Sequence, residues 1–189
     1  SEQGIDLADV EQIIHGTTLA TNALIQRNGA KTALVTTDGF RDVIETRTEG
    51  RFEQYDLNIV LPTPLIERKD RYTVPERLNA RGEVLIPFDE AAAQQVIETI
   101  AAEGYEAVAV GFIHSYTNGA HERRFRDMLI ARLPDIAVSI SSEVSPQMRE
   151  FERFNTVCAN AYLQPLMAGY LHRLEEQLHA AGASCPVYL

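Results

Sequence analysis

Short apolar runs alternate along the chain with segments in which apolar residues recur every three or four positions. The first pattern is typical of buried strands, and the second is typical of amphipathic helices. The runs predict strands at 11–16, 31–37, 106–113 and 136–141, and the periodic segments predict helices at 18–28, 38–45, 88–104, 119–132 and 147–181.

Two segments between these elements carry weaker patterns. Residues 46–66 are polar and interrupted by proline and glycine, which predicts a long ordered loop. Residues 70–88 indicate two extended pieces joined by a turn at 79–82. Asp89 has the position and chemistry of an N-cap for the helix that follows.

The final helical segment has its apolar residues in one stripe, which is the pattern of a helix packed along one side. The stripe consists of Phe151, Phe154, Cys158, Ala161, Tyr162, Leu166, Tyr170, Leu174 and Leu178. At about 1.5 Å per residue this helix would be roughly 50 Å long. Pro165 lies inside it and predicts either a kink or a break into two helices.

Together these elements predict an α/β fold in which mixed and parallel sheets are flanked by helices, with a long C-terminal helix. Residues 89–139 have the order of a βαβ layer, in which a crossover helix covers one face of a parallel sheet. We interpret residues 1–189 as a single domain. A boundary near 62–88, where the periodicity is lost, is the alternative.

The charge balance limits the classes of partner. The net charge is −10, and no run of lysine and arginine is longer than two residues. A protein that binds a phosphate backbone needs a basic face, so nucleic acid is not an expected partner. The longest uncharged apolar run, 107–113, is far shorter than the roughly 20 residues of a membrane span, so no membrane partner is expected.

The sulfur and imidazole groups do not indicate a metal site. Cys158 and Cys185 have 26 residues between them and form no CxxC motif, so neither a disulfide framework nor a zinc cage is expected. We interpret both as small buried hydrophobes of a cytoplasmic protein. His172 and His179 share a helix face and are interpreted as surface residues rather than metal ligands.

Several common catalytic motifs can be excluded from the letters of the chain. No GxxxxGK[ST] sequence is present, and no GxGxxG sequence follows a predicted strand. The segment "HERRF" at 121–125 has Phe125 where a zincin helix needs its second histidine. The segment "GASCP" at 182–186 lacks the final glycine of a serine nucleophile elbow. These exclusions leave other enzyme mechanisms open.

The strongest candidate for chemistry is the junction between the first strand and the first helix, "IIHGTTLATNALIQRNG". A helix that begins near Thr17 or Thr18 has unpaired N–H groups and a positive dipole end there. Gly16 permits close approach of an anion or carbonyl oxygen, the threonine hydroxyls can donate, and His15 can carry a proton or stabilise an oxyanion. The alternative is that a threonine is a plain N-cap and His15 a half-buried, satisfied histidine.

A second junction, "TTDGFRDV", repeats the order of strand end, glycine turn and helix start. Asp38, Gly39 and Arg41 are therefore candidates for binding substrate or phosphate. In the alternative interpretation Asp38 caps the helix, and Arg41 pairs with Asp42 or with a neighbouring carboxylate.

Two further groups of charged residues could either bind a ligand or simply be solvated, one in the long loop and one at the start of the last helix. Arg47 and Arg51 lie four residues apart in the long loop, and two guanidinium groups there favour recognition of carboxylate, phosphate or a planar amide. A solvated loop is the alternative. Glu150, Glu152 and Arg153 are interpreted as helix-end electrostatics rather than an acid/base pair.

Taken together, four stretches of the chain resemble the N-terminal region of the hydantoinase A/5-oxoprolinase family. In order along the chain they are "HGTTLATNALIQRNGAKTALVTTDGFRDVIETRTEGRFEQYDL", "ARGEVLIPFDE", "GYEAVAVGFIHSYTNGAHERRF" and "VSISSEVSPQMREFERFNTVCANAYLQPLMAGYL". Each motif is moderately specific alone, and the set is specific jointly.

The resemblance implies an ATP-dependent amidohydrolase of cyclic amides such as 5-oxoproline, hydantoin or N-methylhydantoin, in which the ring carbonyl oxygen is phosphorylated. It implies ATP and Mg²⁺ as cofactors, an actin/sugar-kinase-like ATPase fold of which this chain is part, and a hydantoinase B-type subunit or domain as partner. It supports His15, Gly16, Thr17 and Thr18 as site positions without fixing their roles.

Two other functions remain open at this point. Subunits of ATP-dependent ketone carboxylases belong to the same superfamily, and the chain could instead be a docking platform for the partner subunit through its long helix. Family members also carry a phosphate hairpin before and glycine-rich loops after the matching region. We therefore expect this chain to be incomplete at both ends relative to the family, and the isolated segment to be inactive.

Overall fold

A computed structural model describes residues 10–48, 55–56 and 58–188, and the chain divides into two compact units. The central unit comprises Ala30–Tyr162, and the terminal unit comprises Ser1–Gly29 with Leu163–Leu189. Residues 62–88 lie within the central unit. The single-domain assignment stays a prediction.

The central unit is built on a four-stranded parallel sheet in the order β3-β2-β6-β7. Its strands are β2 (Thr32–Thr37), β3 (Arg71–Val74), β6 (Ala107–Gly111) and β7 (Ala137–Ile140). Leu34 aligns with Arg71 on one side and with Ala109 on the other. Every residue of β2 and β6 is buried, which explains why neither strand alternates apolar with charged positions, although three of the six residues of β2 are threonines.

Helices cover the sheet, and successive side chains of each strand point to opposite faces. The helices of this unit are α2 (Val43–Thr46), α3 (Glu90–Glu103), α4 (Ala120–Arg132), α5 (Ser141–Val144) and the first part of α6 (Glu150–Ala180). Ala33 and Val35 pack in one core cluster with residues of α3 and α4. Leu34 packs in the second cluster with Phe154 and Val157 of α6. The predicted βαβ layer is therefore confirmed, with α4 as the crossover between β6 and β7.

The predicted cap and turn are both present. Asp89 accepts a hydrogen bond from the Ala92 backbone nitrogen at 3.0 Å, so it caps α3 as expected. The extended pieces at 70–88 become β3, β4 (Arg77–Leu78) and β5 (Val84–Ile86), of which β4 and β5 pair antiparallel. Gly82 closes their turn with a φ of 79° and donates its N–H to the Asn79 carbonyl.

Helix α6 is one continuous element of 31 residues that passes through Pro165. The predicted alternative of a break into two helices is therefore wrong, because a single missing N–H removes one hydrogen bond from a long helix. Near its start the helix approaches β6 so closely that a Cβ on Gly111 would lie 2.6 Å from Phe154 Cδ1. Within the described part of the chain, no helix is both long and apolar enough to cross a membrane.

The terminal unit contains β1 (Ile13–Ile14), α1 (Leu19–Gln26), the second part of α6 and β8 (Val187–Tyr188). β1 and β8 pair in parallel, with Ile13 opposite Val187 and Ile14 opposite Tyr188. Among the described residues the strand predicted at 11–16 is therefore two residues long, with one further backbone bond from His15 to Tyr188.

Candidate functional site

The first strand-to-helix junction is held by a backbone bond and a side-chain bond. The His15 backbone nitrogen donates to the Tyr188 carbonyl oxygen at 2.8 Å, which extends the β1–β8 pairing by one residue. The His15 Nε2 atom lies 2.5 Å from the Tyr170 hydroxyl oxygen. His15 is half-buried, whereas the three residues after it are exposed.

The two threonines at the junction both use their oxygens as acceptors. Thr17 Oγ1 accepts from the Leu19 backbone nitrogen at 3.1 Å, and Thr18 Oγ1 accepts from Asn22 Nδ2 at 3.2 Å. Thr18 occupies the N-cap position of α1 but makes no side-chain cap bond. A hydroxyl that accepts in this way still has its hydrogen to donate. The capping interpretation and the donor interpretation are therefore compatible for Thr17.

Gly16 has no packing reason to be glycine in the described part of the chain. A Cβ at this position would meet no heavy atom within 4 Å, and its φ lies outside the left-handed region. Open space at an exposed glycine beside two hydroxyls leaves room for another group to approach the backbone.

At the second junction, the side chains of Asp38 and Arg41 bind different partners rather than forming one site. Asp38 does not cap α2, because that helix begins five residues later and has Asp42 at its N-cap position. Asp38 Oδ1 instead accepts from Thr73 Oγ1 at 3.1 Å. Arg41 donates from Nη2 to the Arg68 carbonyl oxygen at 2.8 Å rather than pairing with Asp42.

A pocket of about 670 Å³ opens at the carboxyl end of β2, where α/β sheets usually bind ligands. Its walls are the segment from Gly39 to Thr48 and the first turn of α6 with the preceding Arg149. Phe40 and Phe151 supply apolar surface to it. The structure thus brings Gly39 and Arg47, both predicted site residues, to one cavity of the central unit.

The charged groups around the pocket are mixed in sign. Among the described residues, the carboxylates of Asp42, Glu150 and Glu152 line it, together with the guanidinium groups of Arg47 and Arg149. The hydrogen bond from Arg68 holds the pKa of Asp42 below its ordinary value, so this carboxyl stays ionised at neutral pH. A net negative lining disfavours a polyanionic ligand and suits a neutral one.

Arg47 has an unused donor at this pocket. One of its terminal nitrogens donates to the Pro62 carbonyl oxygen, while its Nε is buried without a hydrogen-bond partner. Its φ of 63° is uncommon for a residue with a side chain. A buried unsatisfied N–H is unfavourable, so an acceptor oxygen on a ligand would be stabilised there.

Two fully buried arginines anchor the walls of the pocket. Arg71, at the start of β3, donates to Glu45 of α2 at 2.7 Å and to the Ile66 carbonyl at 3.0 Å. Its Nη1 atom lies 3.6 Å from Asp42 Oδ1. Arg71 therefore ties the short helix α2 to the sheet edge.

Arg153 does the same for the first turn of α6. It donates to the Phe112 carbonyl and to the Gln147 carbonyl, each at 2.9 Å, and to Ser141 Oγ at 3.1 Å. Ser141 Oγ in turn donates to Glu122 Oε1 at 2.6 Å. Burial lowers the pKa of the Arg153 guanidinium from its ordinary value. Arg153 also lies 3.8 Å from Glu150 one turn earlier, as the helix-end interpretation expects, but its hydrogen bonds are made inside the core.

Other predicted site residues fall outside this cavity. Asp38 and Arg41 lie beside it without lining it, and Arg51 lies outside the described residues. His15, Gly16, Thr17 and Thr18 belong to the terminal unit.

The cysteines and C-terminal histidines add no chemistry to the site. Burial raises the pKa of Cys158 to about 12, so the thiol is inert, as a small buried hydrophobe should be. Cys185 is a half-buried free thiol. His172 is exposed and lies 3.2 Å from Glu176. Across the described ranges, no three His, Cys, Asp or Glu side chains gather as a metal site.

The family follows from comparison with known proteins. The family model for the hydantoinase/oxoprolinase N-terminal region matches residues 1–132, more than half of the chain. The chain therefore belongs to the hydantoinase/oxoprolinase family, and the predicted resemblance is confirmed.

Individual relatives agree with this assignment over almost the whole chain. The caprolactamase subunit alpha of Pseudomonas jessenii is 37% identical over 95% of this chain. The 5-oxoprolinase of Saccharomyces cerevisiae is 32% identical over 94% of it. The chain spans only 26% and 16% of the lengths of these two proteins, respectively.

Two solved structures share the fold. The crystal structure of ATP-dependent caprolactamase from Pseudomonas jessenii has a TM-score of 0.89 at 37% identity and covers 96% of this chain. The nucleotide-free structure of an acetone carboxylase has a TM-score of 0.81 at 25% identity and covers 93%. In each case this chain covers 26% of the solved chain. The predicted α/β class, with a parallel sheet flanked by helices and a long C-terminal helix, is confirmed.

Proposed function

We propose that this chain is a segment of an ATP-dependent enzyme that opens cyclic amides, such as 5-oxoproline, hydantoin or N-methylhydantoin, through phosphorylation of the ring carbonyl oxygen. The observation that carries the proposal is the likeness to ATP-dependent caprolactamase over 96% of the chain. The segment works in the cytoplasm with a hydantoinase B-type subunit or domain. We expect the 189 residues alone to be inactive, because relatives use a chain about four times as long.

The junction at His15–Thr18 suits an anionic oxygen. The first N–H groups of α1 and the exposed hydroxyls of Thr17 and Thr18 provide donors at the positive end of a helix. ATP, with Mg²⁺, supplies the phosphoryl group in this class of reaction. We assign Gly16 the role of admitting an oxygen close to the backbone, and His15 that of donating or carrying a proton.

The pocket beside α2 suits the ring. A cyclic amide is neutral and carries a carbonyl acceptor next to an N–H donor. The guanidinium group of Arg47 can donate to the carbonyl oxygen, and the carboxylate of Glu152 can accept a hydrogen bond from the ring N–H. Phe40 and Phe151 cover the ring carbons with apolar surface. The described lining carries more carboxylates than guanidinium groups. This negative charge disfavours a triphosphate in the pocket but does not oppose a neutral ring.

Replacement of Arg47 tests this assignment. In the full-length enzyme, Arg47→Met should raise KM for the ring substrate about tenfold to a hundredfold, because a hydrogen bond to a charged group contributes about 1.5–3 kcal/mol. KM for ATP should stay unchanged. Arg47→Lys keeps the charge but lacks Nε. Its KM for the ring substrate, measured by steady-state kinetics, should lie between those of the native enzyme and Arg47→Met.

Arg124→Met is the matched control. Arg124 is an exposed arginine paired with Glu90 at 2.8 Å, outside the pocket, and its loss should leave both constants unchanged. If Arg47→Met changed KM for the ring substrate and KM for ATP equally, or changed neither, Arg47 would not be a residue that recognises the ring.

A second candidate is a subunit segment of an ATP-dependent ketone carboxylase, which the match to acetone carboxylase favours. Product analysis separates the two functions. The full-length enzyme, given ATP and isotope-labelled bicarbonate, should open a cyclic amide ring without incorporating label. Label recovered in a carboxylated ketone, with cyclic amides left intact, would contradict the hydrolase assignment and establish the carboxylase.

A further inference from the structure

The hydrogen bond between His15 and Tyr170 restricts the chemistry open to the histidine. The atoms His15 Nε2 and Tyr170 Oη are 2.5 Å apart, and the two ring centroids are 5.8 Å apart at an interplanar angle of 34°. Both side chains are half-buried in the terminal unit. The His15 backbone is fixed independently by its bond to the Tyr188 carbonyl. Because the residue is fixed at its backbone nitrogen and its ring is fixed at Nε2, the imidazole has little freedom to reorient.

Two arguments favour the tyrosine as the donor in this bond. Hydrogen bonds donated by O–H are generally shorter than those donated by N–H, by about 0.2 Å where both are made to oxygen. The observed separation of 2.5 Å therefore favours a hydroxyl donor. A phenol is also a stronger acid than a neutral imidazole, so O–H···N is the stronger of the two arrangements. With Nε2 accepting, the proton of a neutral ring must be on Nδ1.

We propose that Tyr170 is a positioning residue that holds His15 in its Nδ1–H tautomer. His15 then presents a hydrogen-bond donor, rather than a base, from Nδ1, the ring nitrogen nearer to its own main chain. Its role in the reaction is to stabilise negative charge on a phosphate or carbonyl oxygen. This last step rests on the proposed function, whereas the tautomer does not.

The tautomer can be measured directly in this chain by NMR. In uniformly ¹⁵N-labelled protein, a long-range ¹H–¹⁵N correlation spectrum recorded at a pH where imidazole is neutral distinguishes the two ring nitrogens by their chemical shifts. We expect Nδ1 of His15 to be protonated and Nε2 to be an acceptor in the native chain. In Tyr170→Phe the ring should lose this single state and populate the Nε2–H form.

Tyr188→Phe is the matched control for the variant. Its hydroxyl is removed from an exposed side chain, and the backbone carbonyl that binds His15 remains. The native tautomer should persist in it. An Nε2–H tautomer in the native chain would overturn the proposal, and so would a Tyr170→Phe spectrum identical to the native one. Since neither outcome requires turnover, a failure of the proposed enzymatic function would leave this measurement decisive.

Discussion

Replacing Arg153 by methionine lowers the free energy of unfolding by about 3–5 kcal/mol, the range for removing one partner from a buried charge network. The guanidinium is fully buried and satisfies two backbone carbonyls and Ser141 Oγ. Methionine fills much of the volume but donates to none of these acceptors. Glu122 would remain as a buried carboxylate without the nearby positive charge. Urea unfolding followed by far-ultraviolet circular dichroism measures the difference.

Arg132→Met supplies the comparison. Arg132 is about half exposed and pairs with Glu98 at 3.1 Å, so its replacement should change stability by about 1 kcal/mol or less. If the two variants unfold at the same urea concentration, the Arg153 network contributes nothing beyond an ordinary surface pair. A destabilised Arg153 variant should also bind the ring substrate more weakly in the full-length enzyme, because Arg153 holds the turn that carries Glu150, Phe151 and Glu152.

The architecture could be predicted because its elements carry strong local patterns. The strands β2 and β6 are buried on both faces and therefore carry no charged residue, and β6 consists only of alanine, valine and glycine. The cap at Asp89 and the turn at 79–82 each depend on residues within three or four positions of one another. The length of β1 could not be predicted, since it depends on pairing with β8, about 175 residues further along the chain.

The site could be predicted only where exposed or loop residues carry it. Gly39 and Arg47 were identifiable as a glycine turn and a charged loop residue. Arg71 and Arg153 were not, because a charged residue is normally exposed and their partners are remote. The carbonyl of Phe112 lies 41 residues from Arg153, and Glu45 lies 26 residues from Arg71. For Arg71 the sequence did contain one indication of burial, because this arginine is the first residue of a strand whose other residues are uncharged.

Tyr170 shows the same difficulty in the terminal unit. Its position in the apolar stripe of the last helix predicted packing, and its partner His15 lies 155 residues away. A tyrosine in such a stripe has a polar hydroxyl that usually finds a partner, which is the one signal the sequence offers.

In the full-length enzyme, changing His15 and Thr17 together to Gln and Val lowers turnover tenfold or more, and each tenfold step corresponds to about 1.4 kcal/mol of lost transition-state stabilisation. His15 supplies a donor held by Tyr170, and Thr17 supplies an exposed hydroxyl at the start of α1. If both act on charge that develops during the reaction, as we propose, kcat should fall more than the KM values rise. Steady-state kinetics of ring opening coupled to ATP hydrolysis provides the measurement.

Stability must be separated from chemistry in this variant, because Thr17 Oγ1 also accepts from the Leu19 backbone nitrogen. Losing that bond costs about 0.5–2 kcal/mol of helix stability. Thr17→Ser retains both the acceptor and the hydroxyl donor and should restore the contribution of this position to turnover. Thr21→Val, one turn further along α1 on an exposed position, should leave kinetics unchanged. Unchanged turnover in the double variant would show that the junction is only a capped helix start, since a cap alone has no reason to affect kcat while the protein stays folded.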